Sequence, residues 1–391
     1  MSPIPYHPDN YAGRRLPGWK GRTRIMNKKR ILVLFGGASS EHEVSVMSAA
    51  SVIKAMDRTR YHIMAAGITP EGLFQLLDDG EMNRHDWPGF DAPRFTRQPD
   101  LPVLLICPGT GAFYVCRQGQ TDQLHIDVVF PVLHGPFGED GRLQGLLDMC
   151  GIPYVGAGVL ASAVAMDKGI TKRLLAQEGI PQTPHIEFRM NRQQPELDQI
   201  HQEVENKLGY PVFVKPANLG SSVGISKADQ REALHQALIL AMKYDEKILV
   251  ERAVHAREIE CAVLGSGNPR VSLPAEVLPS REFYDYEDKY FSGTSQTQAP
   301  ADLTADQIRQ IQETALQVYK LLECQGLARI DFFIDRENGQ LLVNEINTMP
   351  GFTSISLYPK MWTVSGISYA ELIHLLIQDA LERKEDTSIV E

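Results

Sequence analysis

The sequence predicts an α/β protein that opens on a parallel sheet and continues into two smaller units of α+β character. An apolar strand over 31–35, Gly36-Gly37, a helical run over 44–56 and a second strand over Tyr61–Ile68 form a βαβ pattern, which Val128–Val132 extends. A strand over 212–214 runs into a lysine and a glycine-serine loop, and opens a smaller unit. Two alternating runs, Leu327–Asp335 and Leu341–Asn347, are joined through Glu337-Asn338-Gly339 as a hairpin and place a third unit in the last part of the chain.

The remaining elements follow in order. A helix over 162–178 stops at Gly179-Ile180-Pro181, because glycine ends the helix and proline cannot continue it. Strands are expected at 248–251, 259–264 and 271–277, then a polar, aromatic loop over 279–300 and a helix over 304–322. The expected divisions are an extension over 1–27, disordered or tag-like, and domains over 28–156, 157–250 and 251–391. The extension is rich in Pro, Gly, Arg and Tyr without periodicity.

Composition narrows the function. With 391 residues, 43% apolar and 23% charged, the chain can bury ordinary globular cores. Its net charge of −10 repels a nucleic-acid backbone or an anionic membrane. A small anion can still bind, since a close lysine–phosphate pair contributes roughly 4 kcal/mol in a partly screened site. Five cysteines, odd in number and without a C-x-x-C pair, favour a reducing cytoplasm. No run approaches the length of a membrane span, and the basic N-terminus lacks the apolar stretch of a signal peptide.

Several motifs could carry chemistry. Residues 215–224, Lys-Pro-Ala-Asn-Leu-Gly-Ser-Ser-Val-Gly, put a lysine at a strand end before small residues whose backbone N–H groups can surround phosphate oxygens. The alternative is a surface hairpin, and no Walker loop occurs in the chain. Residues 156–161 match a loose dinucleotide fingerprint, for which a tight turn and close helix packing are the better account. In the hairpin, a two-residue turn would pair Asp331 with Ile346, whereas a three-residue loop with Gly339 left-handed pairs Asp331 with Glu345 and Arg329 with Asn347. The second register gathers Arg329, Asp331, Glu345 and Asn347 on one face, with Ile330, Phe332 and Ile346 turned to a core. Hard oxygen donors on rigid strands suit Mg²⁺; the alternative is a solvent-facing sheet whose acids pair with arginine. Glu251 and Glu258 could accept from ribose hydroxyls or be solvated, and His134 follows a parallel strand where ligands usually bind.

Taken in order, these segments resemble the ATP-grasp fold and, within it, the D-alanine:D-alanine ligases. The resemblance covers residues 28–383. Its carriers are the segments 36–45 and 134–141, Met166-Asp167-Lys168, the segment 215–224, Tyr284-Asp285-Tyr286-Glu287-Asp288-Lys289-Tyr290, Arg329-Ile330-Asp331, and the segment 345–354. It implies ATP and Mg²⁺, two ions with Mn²⁺ able to substitute, in a homodimeric cytoplasmic enzyme of peptidoglycan precursor synthesis. Domain 28–156 would serve substrate, and 157–250 and 251–391 would be the two ATP-grasp subdomains.

The resemblance also implies roles. Lys168 and Lys215 meet the phosphates, Glu251 adenine and Glu258 the ribose, while Asp331, Glu345 and Asn347 hold the metal. The γ-phosphate passes to the carboxylate of a first D-alanine, and the amine of a second attacks the acyl phosphate. Arg329 and the Gly351 N–H stabilise the oxyanion. Glu41 receives the first ammonium, and His134, Lys289, Ser356 and Leu357 belong to the substrate site. Glu41, Ser221 and Tyr290 would join by hydrogen bonds to close the 279–300 loop, whose aromatics Phe283, Tyr284, Tyr286, Tyr290 and Phe291 favour packing over solvation. Tyr290 argues against D-lactate as second substrate; D-serine stays open beside D-alanine. The presence of Lys168, Lys215, Asp331, Glu345 and Asn347 favours an active enzyme over an inactive relative.

Overall fold

A computed structural model describes residues 28–77, 94–108, 111–190, 197–220, 223–278 and 296–388, with side chains as far as Lys384. The 1–27 extension, Ser221, Lys289, Tyr290 and the five loop aromatics lie outside the described residues.

β1 (Lys29–Gly36) leads through α1 (His42–Ala55) to β2 (Tyr61–Ile68). Then come β3 (Phe74–Leu77), β4 (Val103–Cys107), β5 (Ala112–Arg117), β6 (Gln120–Leu124) and β7 (Val128–Val132). The sheet runs β6-β5-β4-β3-β2-β1-β7, parallel where β1 meets β2 and β7 and antiparallel from β2 to β6. Ile31, Leu32, Val33 and Leu34 are fully buried, as an apolar run in a parallel strand covered on both faces should be.

α2 (Arg142–Met149) precedes α3 (Val159–Met166) and α4 (Lys168–Gln177). The continuous helix expected over 162–178 is therefore two. Asp167 breaks it: its backbone is extended (φ −89°, ψ 94°) and its carboxylate accepts from the Ile170 N–H at 3.0 Å, capping α4. β8 (His185–Arg189), α5 (Leu197–Lys207), β9 (Val212–Pro216), β10 (Ser226–Ala228), α6 (Arg231–Ala241) and β11 (Lys247–Arg252) form an antiparallel sheet of order β10-β9-β11-β8. Its core joins Val204, Leu234 and Leu238 of the helices to Val212, Val214, Ile248 and Val250.

The third sheet comprises β12 (Ala256–Leu264), β13 (Arg270–Val271), β14 (Ala275–Leu278), β15 (Gln296–Gln298), β16 (Leu327–Asp335) and β17 (Leu341–Asn347), with α7 (Ala305–Leu321) before β16. Its order is β15-β14-β12-β16-β17, with β13 beside β12. The strand expected over 271–277 is interrupted at Ser272-Leu273-Pro274, where proline has no N–H to give the ladder. α7 begins at Thr304 with a capping box closed by Gln307. Ala161 and Ala165 of α3 pack with Ile311, Ala315 and Val318 of α7 against Ile330, Phe332 and Ile346.

α8 (Leu357–Val364) and α9 (Tyr369–Ser388) end the described chain. α9 returns to α1 and β7, so Leu372, Ile373 and Leu376 share a core with Val33 and Phe130 of the first sheet. No helix among the described residues is long and apolar enough to cross a membrane.

Candidate active site

The carboxyl ends of β1 and β7 lie side by side, Phe35 opposite Val132, and their connections depart to opposite sides. In an open α/β sheet that crevice is the natural ligand position. Two loops meet there. Ser39 Oγ accepts from the Glu41 N–H at 3.1 Å and donates to the His134 carbonyl at 2.6 Å. Glu41 is buried, with Oε2 so close to Gly135 that a Cβ there would stand 2.8 Å away. Gly135, at φ +75°, supplies both the left-handed turn and the space. A Cβ at Gly220 would stand 3.8 Å from the same oxygen, so the glycine-serine loop reaches Glu41 next to Ser221.

His134 is buried between sheets. Nδ1 lies 3.0 Å from the Met349 carbonyl and 3.8 Å from Glu139 Oε1, and Nε2 lies 3.3 Å from Ser48 Oγ. Burial opposes its positive charge, but Glu139, Glu41 and the Met349 carbonyl outweigh that and raise its pKa. Burial pushes the Glu139 carboxyl up to about 7 despite the histidine.

The second sheet contributes lysines. Lys168 is the first residue of α4; its Nζ donates to the Leu219 carbonyl at 2.5 Å and lies 3.8 Å from Glu345 Oε2. Lys215 stands diagonal to Glu251 across β9 and β11 and donates to Oε2 at 2.8 Å. Burial disfavours the Lys215 ammonium, yet Glu251, Glu345 and Glu258 raise its pKa.

On the third sheet, Asp331 faces Glu345 and Arg329 faces Asn347. This is the second of the two registers, reached by another route. Asp335 and Gln340 bond across a longer turn, and a register shift beyond Phe332 makes Asn344 the extra residue of a bulge. Asp331 also faces Glu260 of β12, which lines three acids across neighbouring strands. Like charges so placed repel, and Arg329 offsets them: it donates to both Asp331 oxygens at 2.7 and 2.6 Å and lies 3.1 Å from Glu260 Oε2. Burial opposes the Arg329 charge, but Asp331 and Glu260 hold its pKa well above the ordinary value. The Asn347 Oδ1 accepts from the Met349 N–H at 2.9 Å.

These pieces border one cleft of about 370 Å³, lined among others by Glu41, His134, Lys168, Arg329, Glu345, Asn347, Gly351, Ser356 and Leu357. Lys215, Glu251, Glu258 and Asp331 are not among its walls; Asp331 stays bound to Arg329, and Lys215 to Glu251. Glu139, Glu260 and Lys360 also line it, although the sequence reading did not select them. Glu260 alternates with Glu258 along one strand face, a signal that could have found it.

Among the described residues, no three His, Cys, Asp or Glu side chains form a metal cage. The donor chemistry nonetheless fits Mg²⁺. Asp331 and Glu345 are opposed carboxylates with the Asn347 amide on the same face, and the arginine leaves further lone pairs on Asp331.

The family model described as D-ala D-ala ligase N-terminus matches residues 30–157, and that described as D-ala D-ala ligase C-terminus matches residues 174–378. The chain belongs to the D-alanine–D-alanine ligase family. A D-alanine–D-alanine ligase of Acetivibrio thermocellus is 46% identical over 368 residues, 92% of this chain and 98% of that one. That of Caldicellulosiruptor bescii is 47% identical over 92% of this chain and 96% of its own. Among solved structures, the D-alanine–D-alanine ligase of Coxiella burnetii aligns with TM-score 0.80 at 35% identity, covering 93% and 97% of the two chains. The VanG D-Ala:D-Ser ligase of Enterococcus faecalis aligns at 0.77 and 34%, covering 90% and 100%. The fold is thus the ATP-grasp fold of the D-alanine–D-alanine ligase family, with the parallel β2-β1-β7 core as its N-terminal sheet.

Proposed function

We propose that the chain joins two D-alanine molecules with ATP, as an ADP-forming ligase of peptidoglycan precursor synthesis working through an acyl phosphate. The observation that carries this is the single cleft shared by Glu41 and His134 of the first sheet, Lys168 at the start of α4, and Arg329, Glu345, Asn347 and Gly351 of the third. It puts an acid for an ammonium, a cation for phosphates and donors for an oxyanion around one volume.

Lys168 and Lys215 would bind the ATP phosphates, with Glu251 and Glu258 toward adenine and ribose. Asp331, Glu345 and Asn347 would hold Mg²⁺, which supplies charge neutralisation at the phosphates when bound. Glu41 would orient the first D-alanine through its ammonium. Ser356, Leu357 and Lys289 would receive the second carboxylate beside His134. Arg329 and the Gly351 N–H would donate to the tetrahedral oxygen, and Ser221 and Tyr290 would tie the loop shut against water. The domains would divide near 156 and 250, and the enzyme would work as a cytoplasmic homodimer.

Phosphate release from ATP and Mg²⁺ with D-alanine, L-alanine, or D-alanine plus D-serine, with products weighed by mass spectrometry, tests this. D-alanyl-D-alanine formed with phosphate, and no response to L-alanine, is the expected result. Preferential D-alanyl-D-serine would move the chain to the specificity named for the Enterococcus faecalis neighbour, and no product with any pair would overturn the reading.

A further inference from the structure

Lys172, one turn beyond Lys168 on α4, is the most buried lysine among the described residues, at 1% exposure, and is not a wall of the cleft. Its Nζ lies 3.2 Å from Glu251 Oε1, while Lys215 Nζ lies 2.8 Å from Glu251 Oε2. One carboxylate, 2% exposed, is therefore held between two ammonium groups. The two contacts differ. Lys215 makes a hydrogen bond to Glu251, whereas neither the Lys172 Nζ nor the Glu251 Oε1 has a hydrogen-bond partner.

If Lys215 is to bind a phosphate oxygen, it must release Glu251. A buried carboxylate stripped of its only cation is strongly unfavourable, and that cost would be charged against nucleotide binding. Lys172 removes this obstacle because it stays on the other oxygen. We infer that Lys172 is a positioning residue of the nucleotide site: it is the standing counter-charge that holds Glu251 in place and lets Lys215 turn to the phosphates. The inference rests on the proposed role of Lys215. Electrostatics agree: burial opposes ionisation of Glu251, but Lys172 first and Lys215 second bring its carboxyl down to about 2.

The test is nucleotide affinity of the purified full chain with Mg²⁺ and a non-hydrolysable ATP analogue, followed by steady-state kinetics. Lys172→Met should weaken nucleotide binding at least about 10-fold and leave the D-alanine KM within about twofold. Adding Glu251→Gln should restore at least half of that loss on a logarithmic scale, because no carboxylate then retains Lys215. A purely structural lysine predicts no such recovery. Unchanged affinity in Lys172→Met, or a double variant no tighter than the single one, overturns the inference. If the single variant does not fold, the double variant, which strands no buried charge, is read directly: an affinity as poor as that of Lys215→Met overturns the inference, and one clearly better supports it. Lys215→Met also separates the two claims. If it leaves affinity intact, the phosphate role of Lys215 falls; if it weakens affinity while Lys172→Met does not, only the role of Lys172 falls.

Discussion

The Arg329 guanidinium and the Asp331 carboxylate, two residues apart on one strand face, form paired hydrogen bonds of 2.7 and 2.6 Å. Glu260 holds the same guanidinium from the neighbouring strand at 3.1 Å. The arginine is thereby fixed before any substrate arrives, and a donor that need not reorganise is worth most to a developing oxyanion.

Arg329→Lys should therefore lower kcat by about 10²–10³-fold, the range for losing an oxyanion donor, with a much smaller change in the KM for ATP. A lysine is a point charge and cannot span both acids with a planar fork. Steady-state kinetics decide the matter: a kcat within threefold of the parent would remove Arg329 from the reaction.

His134 and Glu139 make stability depend on pH. Burial raises the Glu139 carboxyl to about 7, and the carboxylates around His134 outweigh its burial and raise its pKa too. In both cases the folded state binds its proton more tightly than the unfolded one, so the stabilisation is present at low pH and is lost as pH rises through the folded values. For Glu139 the window runs from the ordinary carboxyl value to about 7, with a limiting slope of about 1.4 kcal/mol per pH unit for one proton. Thermal unfolding across that window should show stability falling with pH, and Glu139→Gln should flatten the fall. An unchanged slope in the variant would assign it to other groups.

The sequence showed the elements whose patterning is unambiguous. Tyr61–Ile68, Val128–Val132, Leu327–Asp335 and Leu341–Asn347 have the expected limits, because burial on one or both faces writes itself into the order of apolar residues. The antiparallel extension of the first sheet was not legible. Gln120–Leu124 has four exposed residues and a half-buried one, so no apolar alternation marks it. Asp167 was read inside a helix because its cap geometry depends on a turn that periodicity does not record. The Lys215–Glu251 contact was hidden for another reason: each residue stood out alone, but their meeting depends on how β9 and β11 are registered. Lys172 carried no mark at all, since a lysine in a helix is ordinarily solvated.

Asp167 should matter through Lys168. Its carboxylate caps α4 and also accepts from Lys247 Nζ at 2.6 Å, and that lysine is buried. Asp167→Ala removes the cap, worth roughly 1 kcal/mol, and strands part of the charge on Lys247. The start of α4 would loosen where Lys168 reaches Leu219 and Glu345. The expected outcome is a KM for ATP raised by about 10-fold at nearly constant KM for D-alanine; equal effects on both would point to general destabilisation instead.

Glu345 is brought opposite Asp331 by the bulge at Asn344 and stands 3.8 Å from Lys168, so one carboxylate adjoins both the proposed metal donors and a proposed phosphate ligand. Its side chain is 33% exposed, and replacing it should disturb folding little. Glu345→Gln keeps the size and the oxygen but loses the charge that a divalent cation needs. Turnover should fall at least about 100-fold, and the Mg²⁺ concentration giving half-maximal activity should rise by about 10-fold or more. Lys168 would lose its carboxylate neighbour, which leaves it freer to bind phosphate, so nucleotide affinity measured without metal should hold or improve. A loss of affinity in the absence of metal would mean that Glu345 supports the lysine and not the cation, and would withdraw it from the metal site.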